Sequence, residues 1–331
     1  MNTLLRGYWS LAQIGIVLYG LVLNGYLLLR SQVGERWDTV AFANNFVPWW
    51  ALGGLVLGTI GLFSRRRWLL VPLQAPILIT FLAAYGDLLW PPQSAAEAQN
   101  GLTLTVATYN IYSEKSDPQQ VVQVIKELDA DIVGLQELGP KHARLIERDL
   151  AGEYPYQLLY PSPSLHGIGL LSRYPIVDDH VYLSYYKYIR HLRIVLNIND
   201  SPVIVYLTHP HSPRTSFPPT AYDDRMRNEQ LAVLRDELKE ETDPVLVLCD
   251  CNMSDQSDAY KALDRVLDDA FREAGWGMGF TFMPRRLLPM LRLDYIWHNV
   301  DFVARDAHPG SDSGSSDHRP MIAELMLQPQ E

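Results

Sequence analysis

The stretch Val245–Asn252, VLVLCDCN, runs four apolar residues into an acid and an amide two positions apart. Successive side chains of a strand alternate faces, so Asp250 and Asn252 project together while Cys249 and Cys251 project the other way. A buried strand ending in a carboxylate and a carboxamide is a common mount for hydrolysis: the sheet supplies rigidity and the polar pair sits at its rim. The same D-x-N spelling also favours a plain Asx-type turn. Other stretches repeat the pattern. Asn110, Glu137, His209 and Asp294 each end or edge an apolar strand, and Asp317 and His318 immediately precede one. Polar residues at several strand ends can converge on one rim.

The elements that must position these groups read as follows. Leu102–Asn110, residues 131–137, 167–172, 202–209, 245–252, 293–297 and 320–327 read as strands, and 180–199 as two more. Pro118–Leu128 has helical spacing, with Asp117 as N-cap and Pro118 in the first turn. Residues 140–150, 225–240 and 260–267 also read as helices. Strands and helices alternate irregularly, with hairpin-like pairs between them, which points to a layered α/β sandwich and not to a doubly wound parallel sheet.

The composition is uneven. Residues 101–331 carry 22 of the 28 basic and 34 of the 38 acidic side chains, a net of −12. Such a domain is repelled by a phosphate backbone unless a basic groove or a divalent metal intervenes, which disfavours nucleic acid as a partner. Two cysteines on one strand make no disulfide framework and are expected as two small buried apolar side chains.

Residues 8–29, 46–63 and 68–90 are long apolar runs near the length of about 20 residues that a membrane span needs. Trp9, Trp49, Trp50, Trp68 and Trp90 sit near run ends, as interfacial aromatics do. Gly54 and Gly58 form a small-xxx-small pair. The expected organisation is a three-helix transmembrane region at 1–90, a polar linker at 91–100 and a catalytic domain at 101–331. Arg6 and Arg65–Arg67 fall on one side of such a bundle, placing the amino terminus in the cytoplasm and the domain outside.

The ordered set TYN (108–110), LQE (135–137), LLSRYP (170–175), LTH (207–209), CDCN (249–252), RLDYIW (292–297) and SDHRP (316–320) resembles the endonuclease/exonuclease/phosphatase superfamily. The resemblance implies a four-layered α/β sandwich, two packed β-sheets flanked by helices. It implies metal-dependent hydrolysis of phosphate esters, with Mg²⁺, Mn²⁺ or Ca²⁺ as the ion. Apolar runs followed by this domain are similar to a bacterial membrane-anchored subgroup that includes a teicoplanin-resistance membrane phosphatase. That subgroup's substrate class is a lipid-linked phosphate, such as a prenyl pyrophosphate or a phospholipid. One departure is Cys249, where the family usually has Gly; it would add bulk beside the site.

Carried onto this chain, the resemblance makes Glu137 the main metal carboxylate, with Asn110 and Asp317 supporting the metal or the phosphate. Asp250 orients or deprotonates water, and Asn252 donates to a phosphoryl oxygen. His318 faces the phosphate and is held by Asp294; His209 contacts the phosphate or protonates the leaving group. Whether Asp250 or a histidine is the base stays open. Arg173, Arg227 and His211 are candidate substrate contacts; for the arginines a structural salt bridge is an equal reading, and for His211 a plain loop histidine.

Phe282–Leu293 mixes apolar and basic residues with no acid. It reads either as a lipid-facing segment or as a loop with partly buried leucines. Three functions compete: a membrane-anchored lipid-phosphate hydrolase, an extracytoplasmic nuclease with strongly salt-dependent cleavage, and a catalytically silent receptor or scaffold that would tolerate Glu137→Ala and His318→Ala.

Overall fold

The computed structural model describes residues 3–92, 101–183, 189–214 and 222–329. Residues 93–100 of the expected linker lie outside them. The chain divides into two compact units: residues 1–89 with the short segments 214–223 and 256–258, and the remainder.

The first unit is helical. Helix α1 (Thr3–Val33) is followed by α2 (Asp38–Asn44), α3 (Val47–Leu62), the single turn α4 (Arg67–Leu70) and α5 (Ala75–Tyr85). Among the described residues, two helical stretches, Tyr8–Arg36 and Arg67–Tyr85, are long and apolar enough to cross a membrane. A third joins them only if α2 and α3, bent by 71°, count as one span. The expected second span, 46–63, is thus a single helix of 16 residues, and the bend lies before it. The Gly54/Gly58 pair does what its spacing predicts. A Cβ on Gly54 would lie 2.9 Å from Ile77, and one on Gly58 would lie 3.6 Å from Gln74. Interhelical hydrogen bonds accompany this close approach: Tyr19 Oη donates to the Trp50 carbonyl at 2.8 Å and Gln74 Nε2 to the Ile16 carbonyl at 3.2 Å.

The second unit holds two six-stranded sheets. Sheet A contains β1 (Leu102–Asn110), β2 (Ile132–Gln136), β3 (Tyr156–Tyr160), β4 (Ile168–Ser172), β11 (Phe302–Pro309) and β12 (Met321–Leu327), in the order β11-β12-β1-β2-β4-β3. Sheet B contains β5 (Ile176–Leu183), β6 (Ile189–Ile198), β7 (Ser201–Thr208), β8 (Val245–Asp250), β9 (Asp268–Asp269) and β10 (Asp294–His298), in the order β5-β6-β7-β8-β10-β9. Each sheet has one parallel pair at its centre, β1/β2 in A and β7/β8 in B; the other pairings are antiparallel. Parallel neighbours need a crossover. Helix α6 (Pro118–Leu128) supplies it in A and, beyond α7 (Pro140–Asp149), α8 (Arg225–Leu238) supplies it in B. Asp117 caps α6 by accepting from the Gln119 and Gln120 amides, as its position predicts.

The central strands are buried on both faces, and alternation divides their residues between two cores. Ala107, Tyr109, Val133 and Leu135 pack with Val121 and Ile125 of α6. Tyr206, Val247, Cys249 and Tyr295 pack with Leu231 and Leu234 of α8. The opposite rows face the other sheet. Gly134 marks the closest approach: a Cβ there would meet Leu207 at 2.8 Å and Leu248 at 2.9 Å. This is the expected pair of packed sheets with helices outside.

One cysteine expectation is corrected. Cys249 and Cys251 form a disulfide. They share the helix-side face, and β8 ends at Asp250, so the backbone is not held fully extended to Cys251. The Cα atoms stand 5.1 Å apart, within the range a bridge needs. Both sulfurs lie in the core beneath the strand, so Cys249 adds no bulk to the face carrying Asp250.

Candidate active site

The sheet geometry explains why the polar residues converge. In each sheet the carboxyl ends of the parallel pair and the amino end of an antiparallel neighbour fall on the same rim. In A these are the ends of β1 and β2, flanked by the start of β12. In B they are the ends of β7 and β8, flanked by the start of β10, where Asp294 stands opposite Asp250 in the register. The inter-sheet rows Val106–Thr108–Asn110 and Leu246–Leu248–Asp250 therefore run from apolar core into polar site.

Asn110 joins the two sheets. Its Nδ2 donates to Glu137 Oε1 at 3.0 Å and to Asp250 Oδ2 at 2.8 Å. Its Oδ1 accepts from the Tyr112 amide at 3.0 Å, and because that amide can only donate, the orientation of the carboxamide is fixed. Asn110 thus braces two carboxylates. His209 Nε2 lies between the same acids, 3.5 Å from Asp250 Oδ2 and 3.9 Å from Glu137 Oε1. His318 Nδ1 bonds Asp294 Oδ2 at 2.8 Å, and its Nε2 stands 3.8 Å from Asp250 Oδ2. Asn110, Glu137, His209, Asp250, Asp294 and His318 thus form one buried cluster.

Glu137 of this cluster and Asn252 beside it sit on left-handed backbone, at φ 55° and 49°. Glu137 follows Val133 and Leu135 in parity and would otherwise point toward α6; the left-handed residue after β2 redirects it to the rim. Each such position costs on the order of 1–3 kcal/mol unless the surroundings enforce it. At Asn252 they do. The Asn252 amide donates to Asp250 Oδ1 at 3.1 Å, its Nδ2 donates to the Pro210 carbonyl at 3.1 Å, and its own carbonyl accepts from Arg227 Nη1 at 2.9 Å. The Asx-type turn and the site are one structure.

The charge arrangement is uneven. Burial alone would raise Asp250, but His318, His209 and the Asn110 bond outweigh it and hold its carboxyl down at about 2. Burial opposes charge on His318, yet Asp294 and Asp250 push it up to about 10. His209 is raised in the same way by Asp250 and Glu137, against its burial. Glu137 moves the other way: burial raises it, and His209 and Asn110 only partly compensate. Glu137 Oε2 is buried without a hydrogen-bond partner. An orphaned carboxylate oxygen among hard donors fits a divalent cation of the Mg²⁺ type. Among the described residues, Asp250, Asp294 and His318 also bring one ligand atom each within 4.8 Å of one another. Asp294 Oδ1 is also buried without a hydrogen-bond partner, so the residues fit a cation either at Glu137 with Asp250 or at Asp250 with Asp294.

The remaining expected residues separate. Asp317 is half-buried beside this cluster, its carboxyl raised by burial against the pull of His318 and Lys115. Arg173 is a correction: it follows β4 at the end of sheet A opposite Glu137, where it pairs with Asp129 and with Asp131 at 3.2 Å. Arg227 is also corrected. It is 1% exposed, and its guanidinium bonds Asp224, Asn228 and the Asn252 carbonyl, so it positions the Asp250 turn and does not reach toward a substrate. His211 donates its backbone amide to Gln230 and sets its ring edge-on to His166 at 5.5 Å.

Sequence reasoning missed several supporting groups. Ser316 Oγ donates to the Asn110 carbonyl and accepts from the His318 amide, clamping the SDH loop onto β1. Thr281 Oγ accepts from the Leu293 and Asp294 amides. The Phe282 ring lies 5.0 Å from the His318 ring. Ser316 stood within a quoted motif; Thr281 and Phe282 carry no local signal, because their role exists only once residues 281–282 lie beside 318.

Comparison with known proteins agrees with this geometry. Residues 107–318 match the model of the endonuclease/exonuclease/phosphatase family. No curated protein matches. A family member from Bacteroides vulgatus superposes with a TM-score of 0.56 at 21% identity, covering 69% of this chain and all of that one. One from Beutenbergia cavernae gives 0.55 at 20% identity, covering 68% and 72%. D. rerio TDP2, solved with a single-stranded DNA product, gives 0.55 at 16% identity, covering 67% and 98%. The chain belongs to the endonuclease/exonuclease/phosphatase family.

Proposed function

We propose that this protein is a membrane-anchored, divalent-metal-dependent hydrolase of a lipid-linked phosphate, such as a prenyl pyrophosphate or a phospholipid. The observation that carries the hydrolase is the buried cluster in which Glu137 Oε2 and Asp294 Oδ1 have no hydrogen-bond partner and an acid–imidazole pair, Asp294 with His318, stands beside Asp250. A divalent cation bound at Glu137 would neutralise charge on the phosphoryl oxygens. Asp250, held ionised, accepts a hydrogen bond from the attacking water and orients it. His318, charged and fixed by Asp294, donates to a phosphoryl oxygen as negative charge grows there. His209, between the two acids, contacts the phosphate or protonates the departing oxygen. Asn110 keeps the two carboxylates at working distance.

The lipid substrate is supported by the apolar helices ahead of the domain, two or three of them long enough to span a bilayer. Tethering raises the effective concentration of a membrane substrate. The arginine asymmetry supports three spans with the amino terminus in the cytoplasm and the catalytic domain outside. The resemblance to the teicoplanin-resistance subgroup points the same way. A second reading, a nuclease, draws on the likeness to D. rerio TDP2 and its single-stranded DNA product; the net of −12 on residues 101–331 weighs against it. The test is hydrolysis by the purified full-length chain, with and without Mg²⁺, read as inorganic phosphate from prenyl pyrophosphate, as the freed phosphomonoester from phospholipid and sphingomyelin, and as shortened strands from single-stranded DNA. Lipid turnover dependent on Mg²⁺ is expected; cleavage of DNA alone would replace this reading with the second.

A further inference from the structure

The acid-free run after β9 becomes a specific object in the structure. Residues 283–290 form a closed hairpin loop. The Phe282 amide donates to the Leu291 carbonyl at 2.9 Å, and the Met290 amide donates to the Phe282 carbonyl at 2.8 Å. The base of the loop is pinned to the segment that carries His318. The Met283 amide donates to the Asp317 carbonyl at 2.7 Å and the Arg319 amide to the Thr281 carbonyl at 2.9 Å. Phe282 itself packs on the His318 ring. One end of the loop is therefore part of the active site wall.

The other end is open. Pro284 and Pro289 bracket Arg285, Arg286, Leu287 and Leu288, all four exposed. Leu287 is 75% and Leu288 66% exposed, whereas Leu291 and Leu293 at the base of the loop are half-buried and buried. Arg285 and Arg286 both have left-handed backbone, at φ 55° and 56°, and Arg286 Nη1 donates to the Ser315 carbonyl at 3.0 Å. The tip is thus presented in a defined, costly shape and not left as a slack turn. Two cations beside two exposed leucines, with no acid from 281 to 293, match a surface that is anionic at its outer layer and apolar beneath it. Nucleic acid would use the arginines but has no use for the leucines.

We infer that the 283–290 loop docks on an anionic bilayer, with Arg285 and Arg286 at the headgroup phosphates and Leu287 and Leu288 in the acyl boundary, so that a lipid phosphate leaves the membrane beside His318. The inference rests on the lipid-phosphate reading for its purpose, but its docking step stands on the loop alone.

The experiment uses the full-length chain in nanodiscs of phosphatidylcholine, with and without phosphatidylglycerol. Both native cysteines are bonded to each other, so Leu288→Cys offers one reactive thiol for an environment-sensitive fluorophore. A blue-shifted emission that is quenched by lipid-borne quenchers, and stronger with phosphatidylglycerol, is expected. A water-like spectrum in both compositions would overturn the inference, as would a response to single-stranded DNA without one to lipid. In parallel, the Leu287→Asp/Leu288→Asp variant should lose at least about tenfold in kcat/KM on bilayer lipid phosphate, and stay within about twofold on a water-soluble phosphodiester, which also reports that it is folded. Equal rates on both substrates would also overturn the inference. Probe insertion with no phosphoester cleaved by the wild type would leave the docking intact and remove the catalytic reading instead.

Discussion

The two sheets bring similar architecture and different chemistry to the rim. Each contributes the ends of a parallel strand pair joined by an outside helix. Sheet B's acids lean on the other sheet: Asp250 is held ionised by His318, from the loop before β12 of sheet A, and by His209 of its own sheet, while Asp294 secures His318 through Oδ2 and keeps an unpartnered Oδ1. Sheet A's set is incomplete: Glu137 has an oxygen with no partner, and burial works against its charge. The Asp250–His318–Asp294 chain is drawn from both sheets, whereas Glu137 stands at the sheet A side with an open oxygen. Asn110, reaching from A to Asp250 in B, links the two at a fixed spacing.

Substitutions can break this contrast. The largest effect is expected for Asp250→Asn, which removes the acid that the imidazoles and Asn110 share; the hydrolysis rate should fall by about 10³-fold or more at any Mg²⁺ concentration. His318→Gln should cost about 10²–10⁴-fold, also without rescue by metal. Glu137→Gln should behave differently, with apparent Mg²⁺ affinity falling at least about 10–100-fold and part of the rate returning at high Mg²⁺. If His318→Gln and Glu137→Gln respond alike to added metal, the distinction between the acid–imidazole chain and the open Glu137 carboxylate is lost. A smaller effect tests the packing that sets their distance. Gly134→Ala would push a methyl against Leu207 and Leu248 and should lower stability by about 1–3 kcal/mol in denaturant unfolding.

Much of the site was legible because its residues end apolar strands. Asn110, Glu137, His209, Asp250, Asp294 and His318 were each marked by a hydrophobic run that stops at, or starts beside, a polar group, and the structure gathers all six. Strands β3, β9 and β11 were not legible: β9 has two residues, and β11, FVARDAHP, carries two charged residues and a histidine that mask its alternation. Arg173 and Arg227 misled because a guanidinium's partner is set by tertiary contacts; Asp129, Asp131 and Asp224 claim them. The disulfide was missed because strand spacing was extended past Asp250, where β8 has already ended.

The smallest effect lies away from the rim. Glu241 accepts from Arg193 at 3.0 Å and from Tyr206 at 2.7 Å, and Arg193 holds its carboxyl below the usual range against partial burial. Its contribution to stability is present above the unfolded carboxyl's pKa and is lost as pH falls through the lower, folded value. Glu241→Gln should therefore destabilise modestly at neutral pH and flatten the acid limb of the stability curve, with turnover per folded molecule unchanged. A change in turnover would tie this outer face of sheet B to the chemistry.

The most direct test of the central claim, that two strand-end sets form one cation-assisted phosphoester-cleaving site, is turnover of a water-soluble phosphodiester by the full-length chain through a cycle of chelation and Mg²⁺ return. The account predicts that chelation abolishes the rate and that Mg²⁺ restores it in the wild type, only partly in Glu137→Gln, and not at all in Asp250→Asn. Turnover that survives chelation, or Asp250→Asn cleaving at the wild-type rate, would contradict it.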